Sequence, residues 1–284
     1  MSHLIAPEPL LEVVLADLEL SPTLTGLCAG FERGRWRVVD LARHLFDWLP
    51  EFALTPGERE ALAPHNAAEY LARAAQVVYT TTRYQHRGEF GELLMHAAIR
   101  QQFQTIPAIT KVFFKDSPNE TIKGFDAVHV VVTPSQDLEL WLGEAKFYGD
   151  LASAIRAVAE DLASHTEPAW IRGEFLAITN KIDPRWAHAE RLKALLHRNR
   201  SLDEVFAAIR VPVLVSYDSP AASTATAMDD AYRLAVATEL RDAHQRLAQH
   251  NLPPVSMHLM LVPLADKAAL VEAIDARLRL YLAP

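Results

Sequence analysis

In the stretch GFDAVHVVVTPSQDLELWLGEAKFYGD, residues 124–150, two apolar runs flank a polar connection, Thr133–Asp137. Pro134 and its polar neighbours can turn the chain back on itself. Side chains alternate across a strand, so Leu138, Leu140, Leu142, Glu144 and Lys146 share one face. Glu139, Trp141, Gly143, Ala145 and Phe147 share the other. In the preceding run, Asp126 lies on the face of Val128, Val130 and Val132. An antiparallel hairpin whose paired residue numbers sum to 270 sets Val132 opposite Leu138, Val130 opposite Leu140 and Val128 opposite Leu142. The apolar stripe also tolerates sums of 268 or 272, because a shift of two keeps every side chain on its face. In each register Asp126 and Glu144 end as neighbours.

Two carboxylates that face each other at the end of an apolar stripe repel and need a cation. Lys146 supplies one charge. A divalent metal neutralises both better, and Mg2+ is commonly held by one or two carboxylates together with water and substrate phosphate. Asp126 and Glu144 are therefore expected to hold Mg2+ (or Mn2+), which can activate a water and stabilise charge on a phosphodiester. Lys146 is expected to position the water, help deprotonate it, or stabilise the phosphate under attack. The preceding helical segment, GEFGELLMHAAI, carries Glu89 and Glu92 on one flank, and either can reach the metal. Glu92 is the favoured one because it stands deeper in the apolar part. The plainer reading is a structural salt bridge at a sheet end. Against it, Lys146 alone among the seven lysines has an acid two residues before it.

Around this hairpin the pattern implies an α/β domain with a mixed sheet flanked by helices. Residues 88–103 read as a helix. ITKVFFK (109–115), TIKGFDAVHVVV and DLELWLGEAKFY then read as strands. Helices around 150–165, 187–200, 229–250 and 267–282 alternate with strands GEFLAITNKI (173–182), VPVLVSY (211–217) and SMHLMLVPL (256–264). Residues 1–75 read as a helical N-terminal region, with helices in LLEVVLADLEL, VVDLARHLFDWL and AAEYLARAAQVVY, ahead of the domain at 76–284. The basic run GFERGRWRVVD (30–40) reads as a solvated loop or edge strand. Thr179, Asn180 and Lys181 close an expected strand.

With 284 residues, half of them hydrophobic, the chain can bury a sizeable core. The lone Cys28 excludes an intramolecular disulfide and a cysteine-rich zinc module. The twelve histidines show no zinc-like spacing, and His129 is expected in the core near Trp141. No GxxxxGK loop and no GxSxG elbow is present, which disfavours an ATPase and a serine hydrolase of that type. The first residues do not read as a signal peptide, and no apolar run is long enough to span a bilayer; the cytoplasm is the expected location. A net charge of −8 repels nucleic acid at long range, so DNA binding must rest on a local basic surface or a partner. Arg83 and Arg87, beside Tyr84 and His86, and Lys123 ahead of Asp126 are the expected DNA contacts. The basic run Arg191–Arg200 reads as a solvated face.

The order GEFGE, GFD and GEAK resembles the PD-(D/E)xK nuclease superfamily, with Phe125 at the usual proline position. RGEFGELLMHAAI, TIKGFDAVHVVV and LWLGEAKFYGDLASAI further resemble the HamA family, nuclease subunits of the Hachiman anti-phage defence system, over roughly residues 76–284. The resemblance implies a restriction-endonuclease-like fold and a Mg2+-dependent DNA nuclease. It implies Asp126, Glu144 and Lys146 as catalytic residues with Glu92 or Glu89, and a HamB-like helicase subunit as partner. A catalytically silent partner-binding module and an RNA nuclease on the same fold are the competing readings.

Overall fold

The computed structural model describes residues 6–79, 88–110, 124–165 and 167–282. The chain opens with strands β1 (Glu12–Asp17) and β2 (Thr23–Cys28), then a small hairpin of β3 (Phe31–Glu32) and β4 (Arg35–Trp36). Helices α1 (Val38–Ala53), α2 (Pro56–Ala61), α3 (Ala67–Tyr79) and α4 (Gly88–Phe103) follow. Strands β5 (Ile106–Thr110), β6 (Ala127–Val132) and β7 (Leu138–Phe147) come next. Helices α5 (Leu151–His165), α6 (Pro168–Lys181), α7 (Ala189–Leu195) and α8 (Leu202–Ala207) lead to β8 (Ile209–Asp218). Then come α9 (Pro220–Thr224), α10 (Asp230–Ala248), β9 (Ser256–Leu264) and α11 (Lys267–Leu282).

Seven strands form one mixed sheet in the order β1-β2-β9-β8-β7-β6-β5. The four central strands, β2, β9, β8 and β7, run parallel, and antiparallel pairs close both sides. This is the expected α/β architecture with helices on both faces. Parallel strands need both faces covered, and two apolar layers supply the cover. On one face Val128, Val130, Leu138, Leu140 and Leu142 pack with α5, α6 and α10 through Ile155, Val158, Phe175 and Leu240. On the other, Ala127, Phe147, Leu214 and Met260 pack beneath α1, α4 and α11 through Leu45, Leu94 and Ile274. The alternation read from β7 is thus the alternation between two cores.

The β6–β7 hairpin has the register that sums to 270: Val132 pairs with Leu138, Val130 with Leu140 and Val128 with Leu142. His129 pairs with Trp141 and is fully buried, as expected. The chain turns at Gln136, in the left-handed region with φ +66°.

Three local readings need correction. LLEVVLADLEL was expected to be helical, but Glu12–Asp17 is a strand paired antiparallel with β2, so residues 1–75 contribute two strands to the main sheet and the β3–β4 hairpin as well as helices. A short apolar run with paired valines fits either period, and only the partner strand decides. GEFLAITNKI was expected to be a strand, but Gly173–Lys181 lie in α6 and Ile182 caps it. Ile171, Phe175 and Ile178 recur at helical spacing once the window starts at Pro168, which occupies the first helical turn where no amide partner is needed. Thr179, Asn180 and Lys181 therefore end a helix. The strand expected at 109–115 is β5, starting earlier at Ile106; residues 111–115 lie outside the described residues. Arg33 and Arg35 belong to the isolated β3–β4 hairpin.

Helix α4 lies unusually close to β7. A Cβ on Gly91 would stand 2.8 Å from Phe147 Cβ, and one on Gly143 would stand 2.8 Å from the Met95 Sδ and Cε atoms. Two glycines, one on each element, let helix and strand interlock. Gly91→Ala is expected to cost about 1–3 kcal/mol by overpacking and to lift Glu92 away from the end of β7. Denaturant unfolding of the variant measures the first effect. A crystal structure of the variant shows the second.

Candidate active site

The end of β7 meets the start of β6 in a cleft of about 1000 Å3. Asp126 precedes β6, and its position is locked by two backbone contacts. Its amide N–H donates to the Gly143 carbonyl at 2.8 Å, and its Oδ2 accepts from the Ala145 amide at 2.9 Å. The hairpin register places it beside Glu144, as the parity argument requires. Both carboxylates are buried, Asp126 at 5% and Glu144 at 3% exposure. Glu92, on the buried face of α4, lines the same cleft. Glu89, one turn earlier and half-buried, is not among the residues that line it.

Lys146 joins these groups to α5. Its Nζ donates to Glu144 Oε1 at 2.7 Å and also to Asp161 Oδ2. Burial disfavours the lysine charge, but the Glu144 and Asp161 carboxylates outweigh it and hold the ammonium above the usual lysine range. Lys146 is therefore a cation at neutral pH, able to orient and to stabilise negative charge rather than to take a proton.

Glu144 is displaced in the other direction. Burial first, and the Asp126 carboxylate second, push its pKa up, against the opposing pull of His165 and Lys146. Among the described residues its second oxygen, Oε2, is buried without a hydrogen bond; His165 Nδ1 stands 3.4 Å away, outside hydrogen-bonding geometry. His165 stacks on Trp170, ring centroids 4.2 Å apart and planes 10° from parallel, and Phe125 packs edge-on against both. Lys267, at the start of α11, closes another side of the cleft with its ammonium 4.8 Å from the Phe147 ring centre.

Among the described residues, no three His, Cys, Asp or Glu side chains are gathered into a metal-ligating group. What is present is an oxygen pair under electrostatic strain. Two buried carboxylates are close enough for one to raise the pKa of the other, and one oxygen has no hydrogen bond. A hard divalent cation fits that donor set, because Mg2+ needs only one or two carboxylates and keeps several waters.

Sequence reasoning missed Asp161, His165, Trp170 and Lys267. A signal for the first two existed: Ala154 and Val158, buried on α5, lie on the same stripe as Asp161 and His165. Polar residues that continue an apolar stripe are informative. Arg83, Arg87 and Lys123, the expected DNA contacts, lie outside the described residues, as do Tyr84 and His86. None of Arg33, Arg35 and Arg37 lines the cleft. Among the described residues no helix is long and apolar enough to cross a membrane.

Comparison with curated proteins returns no match. The family model of HamA, in contrast, matches residues 8–278, which takes in β1, the whole sheet and most of α11. The match extends through the N-terminal strands and helices that the motifs alone left out, and the chain belongs to the HamA family.

Proposed function

We propose that the chain is a divalent-metal-dependent nuclease, the DNA-cleaving effector of a Hachiman anti-phage defence complex that works with a helicase subunit. Membership of the HamA family supports the defence role. One observation carries the chemistry: a buried Asp126–Glu144 pair, with Glu144 bonded to a charged lysine, opens into a cleft. Asp126 and Glu144 would hold the metal, with Glu92 reaching it from α4. When bound, Mg2+ supplies Lewis acidity at the phosphate and an activated water.

The chain's own residues do the rest. Lys146, fixed between Glu144 and Asp161, places a positive charge where a phosphodiester gains negative charge as water attacks phosphorus and the P–O bond breaks. Lys267 adds a cation at the mouth of the cleft, and Trp170 and Tyr148 add aromatic surface next to it. The net charge of −8 fits a nuclease whose hold on DNA comes largely from its partner.

The test is the purified chain, alone and with its helicase subunit, incubated with duplex DNA, single-stranded DNA and RNA in Mg2+ or in EDTA. DNA loss in Mg2+ that EDTA abolishes is the expected result. Cleavage of RNA alone would move the activity to the RNA-nuclease reading. No cleavage of any substrate, with or without the partner, would leave the silent binding module as the better account.

A further inference from the structure

A second cavity, of about 480 Å3, lies at the edge strand β5, between α2 and the segment that joins α6 to α7. It shares no lining residue with the Asp126–Glu144 cleft. Three arginines enter it: Arg59 from α2, Arg100 from α4 and Arg185 from the joining segment. Two of them are already matched. Arg100 donates to Glu51 through Nε at 2.5 Å and Nη2 at 3.3 Å. Arg185 donates to Asp183 through Nε at 3.1 Å and Nη2 at 2.8 Å.

Arg59 is not matched. Its Nε is buried with no hydrogen-bond partner among the described residues. Glu58, beside it in sequence, is taken by Arg73 at 2.8 Å and by the Thr55 amide at 2.8 Å. The remaining acid in the lining, Glu60, is exposed. Burial works against the Arg59 charge, Glu51 and, more weakly, Glu60 offset part of that cost, and Arg100 adds to it. A guanidinium nitrogen buried with no acceptor is costly unless something supplies one. The opposite wall carries Trp186 and His188, ring centres 5.2 Å apart at 78°, and His188 Nδ1 is also buried without a partner. The cavity thus combines an unmatched guanidinium, two flanking arginines and an aromatic wall. Its volume lies within the range of small-ligand pockets, roughly 300–1000 Å3.

We propose that this cavity binds a phosphorylated small molecule of nucleoside-monophosphate size, with its phosphate on Arg59 and its ring system against Trp186. The planar guanidinium fork matches phosphate oxygens in two parallel hydrogen bonds, which a lysine cannot do. Arg185, four-fifths exposed at the rim, guides the anion in. The site is independent of the nuclease reading and would stand if that reading failed.

The probe is AMP, titrated calorimetrically into the full chain in EDTA, so that a metal-dependent site in the main cleft contributes nothing. Saturable binding is expected, with adenosine at least about tenfold weaker because it lacks the charge-assisted bonds. Arg59→Gln is expected to weaken AMP by at least about tenfold. Its circular dichroism should be unchanged, since the substitution leaves the Thr55–Glu58 capping box of α2 intact. Arg185→Gln, an exposed change that cannot unfold the chain, is expected to weaken AMP several-fold, and it decides the matter if Arg59→Gln does not fold. The absence of saturable AMP binding at millimolar concentration would overturn the proposal. Equal binding of adenosine and AMP, or unaltered AMP binding in folded Arg59→Gln, would overturn it as well.

Discussion

Glu144→Gln is expected to abolish DNA cleavage, by on the order of 10^3-fold, while the protein becomes no less stable. The two halves of this result separate a working site from a structural salt bridge. In the folded chain Glu144 is buried beside Asp126, and its pKa is raised. A carboxyl whose folded pKa is raised takes up its proton more readily folded than unfolded, so folding disfavours its ionised form. Below the ordinary glutamate pKa both states are protonated, and the substitution changes little. As pH rises above it, the wild type must bury the charge against Asp126, whereas the glutamine has no charge to bury. The stability of Glu144→Gln relative to wild type should therefore rise between about pH 4 and pH 7. Thermal unfolding across that range, without metal, measures it. If Glu144→Gln were clearly less stable at pH 7, the carboxylate would be serving mainly as Lys146's structural partner.

Lys146→Met is expected to lose activity to a similar degree, but with the opposite effect on stability. Lys146 is the cation that holds Glu144 and Asp161 together. Its removal takes from the buried Glu144 carboxylate the ammonium it is bonded to, and breaking a buried ion pair by deleting one member is strongly destabilising. Asp161 is partly exposed and can turn to water, which lowers the cost to about 2 kcal/mol. A divalent cation bound to the folded state recovers stability by mass action. Millimolar Mg2+ or Mn2+ should therefore raise the unfolding midpoint of Lys146→Met more than that of the wild type, while cleavage stays absent. Equal shifts in the two proteins would mean that the cation binds somewhere other than beside Asp126 and Glu144.

Much of the site was legible because it depends on parity. The register of β6 against β7 followed from two apolar stripes and a turn, and with it the meeting of Asp126 and Glu144. The choice between Glu89 and Glu92 was open in sequence, since both lie on one flank of α4; the close approach of Gly91 to Phe147 sets the helix's rotation over β7 and leaves Glu92 lining the cleft. Asp161 and His165 were harder. They come from a crossover helix, and nothing local states that α5 crosses the end of β7 that carries Glu144. The strand β2 was missed for a related reason. It is parallel to β9, more than two hundred residues away, and its small residues Thr23, Thr25 and Gly26 become strand-like only in that pairing. Gly26 in turn meets Leu240 of α10, where an added Cβ would collide with Leu240 Cδ1. The misread α6 shows the limit of composition. Ile and Thr favour strands, but the burial of Ile171, Phe175 and Ile178 on one helical face overrides that preference.

The claim at the centre of this account is that Asp126 and Glu144 together hold a divalent cation. The direct measurement is Mn2+ binding, followed by the electron paramagnetic resonance signal of free Mn2+, in the wild type and in Asp126→Asn. Asparagine keeps a side-chain oxygen to accept the Ala145 amide, so the start of β6 stays anchored and only the charge is lost. Saturable binding in the wild type, weakened at least about tenfold in Asp126→Asn, is the expected result. No saturable binding in the wild type, or equal binding in both proteins, would contradict it.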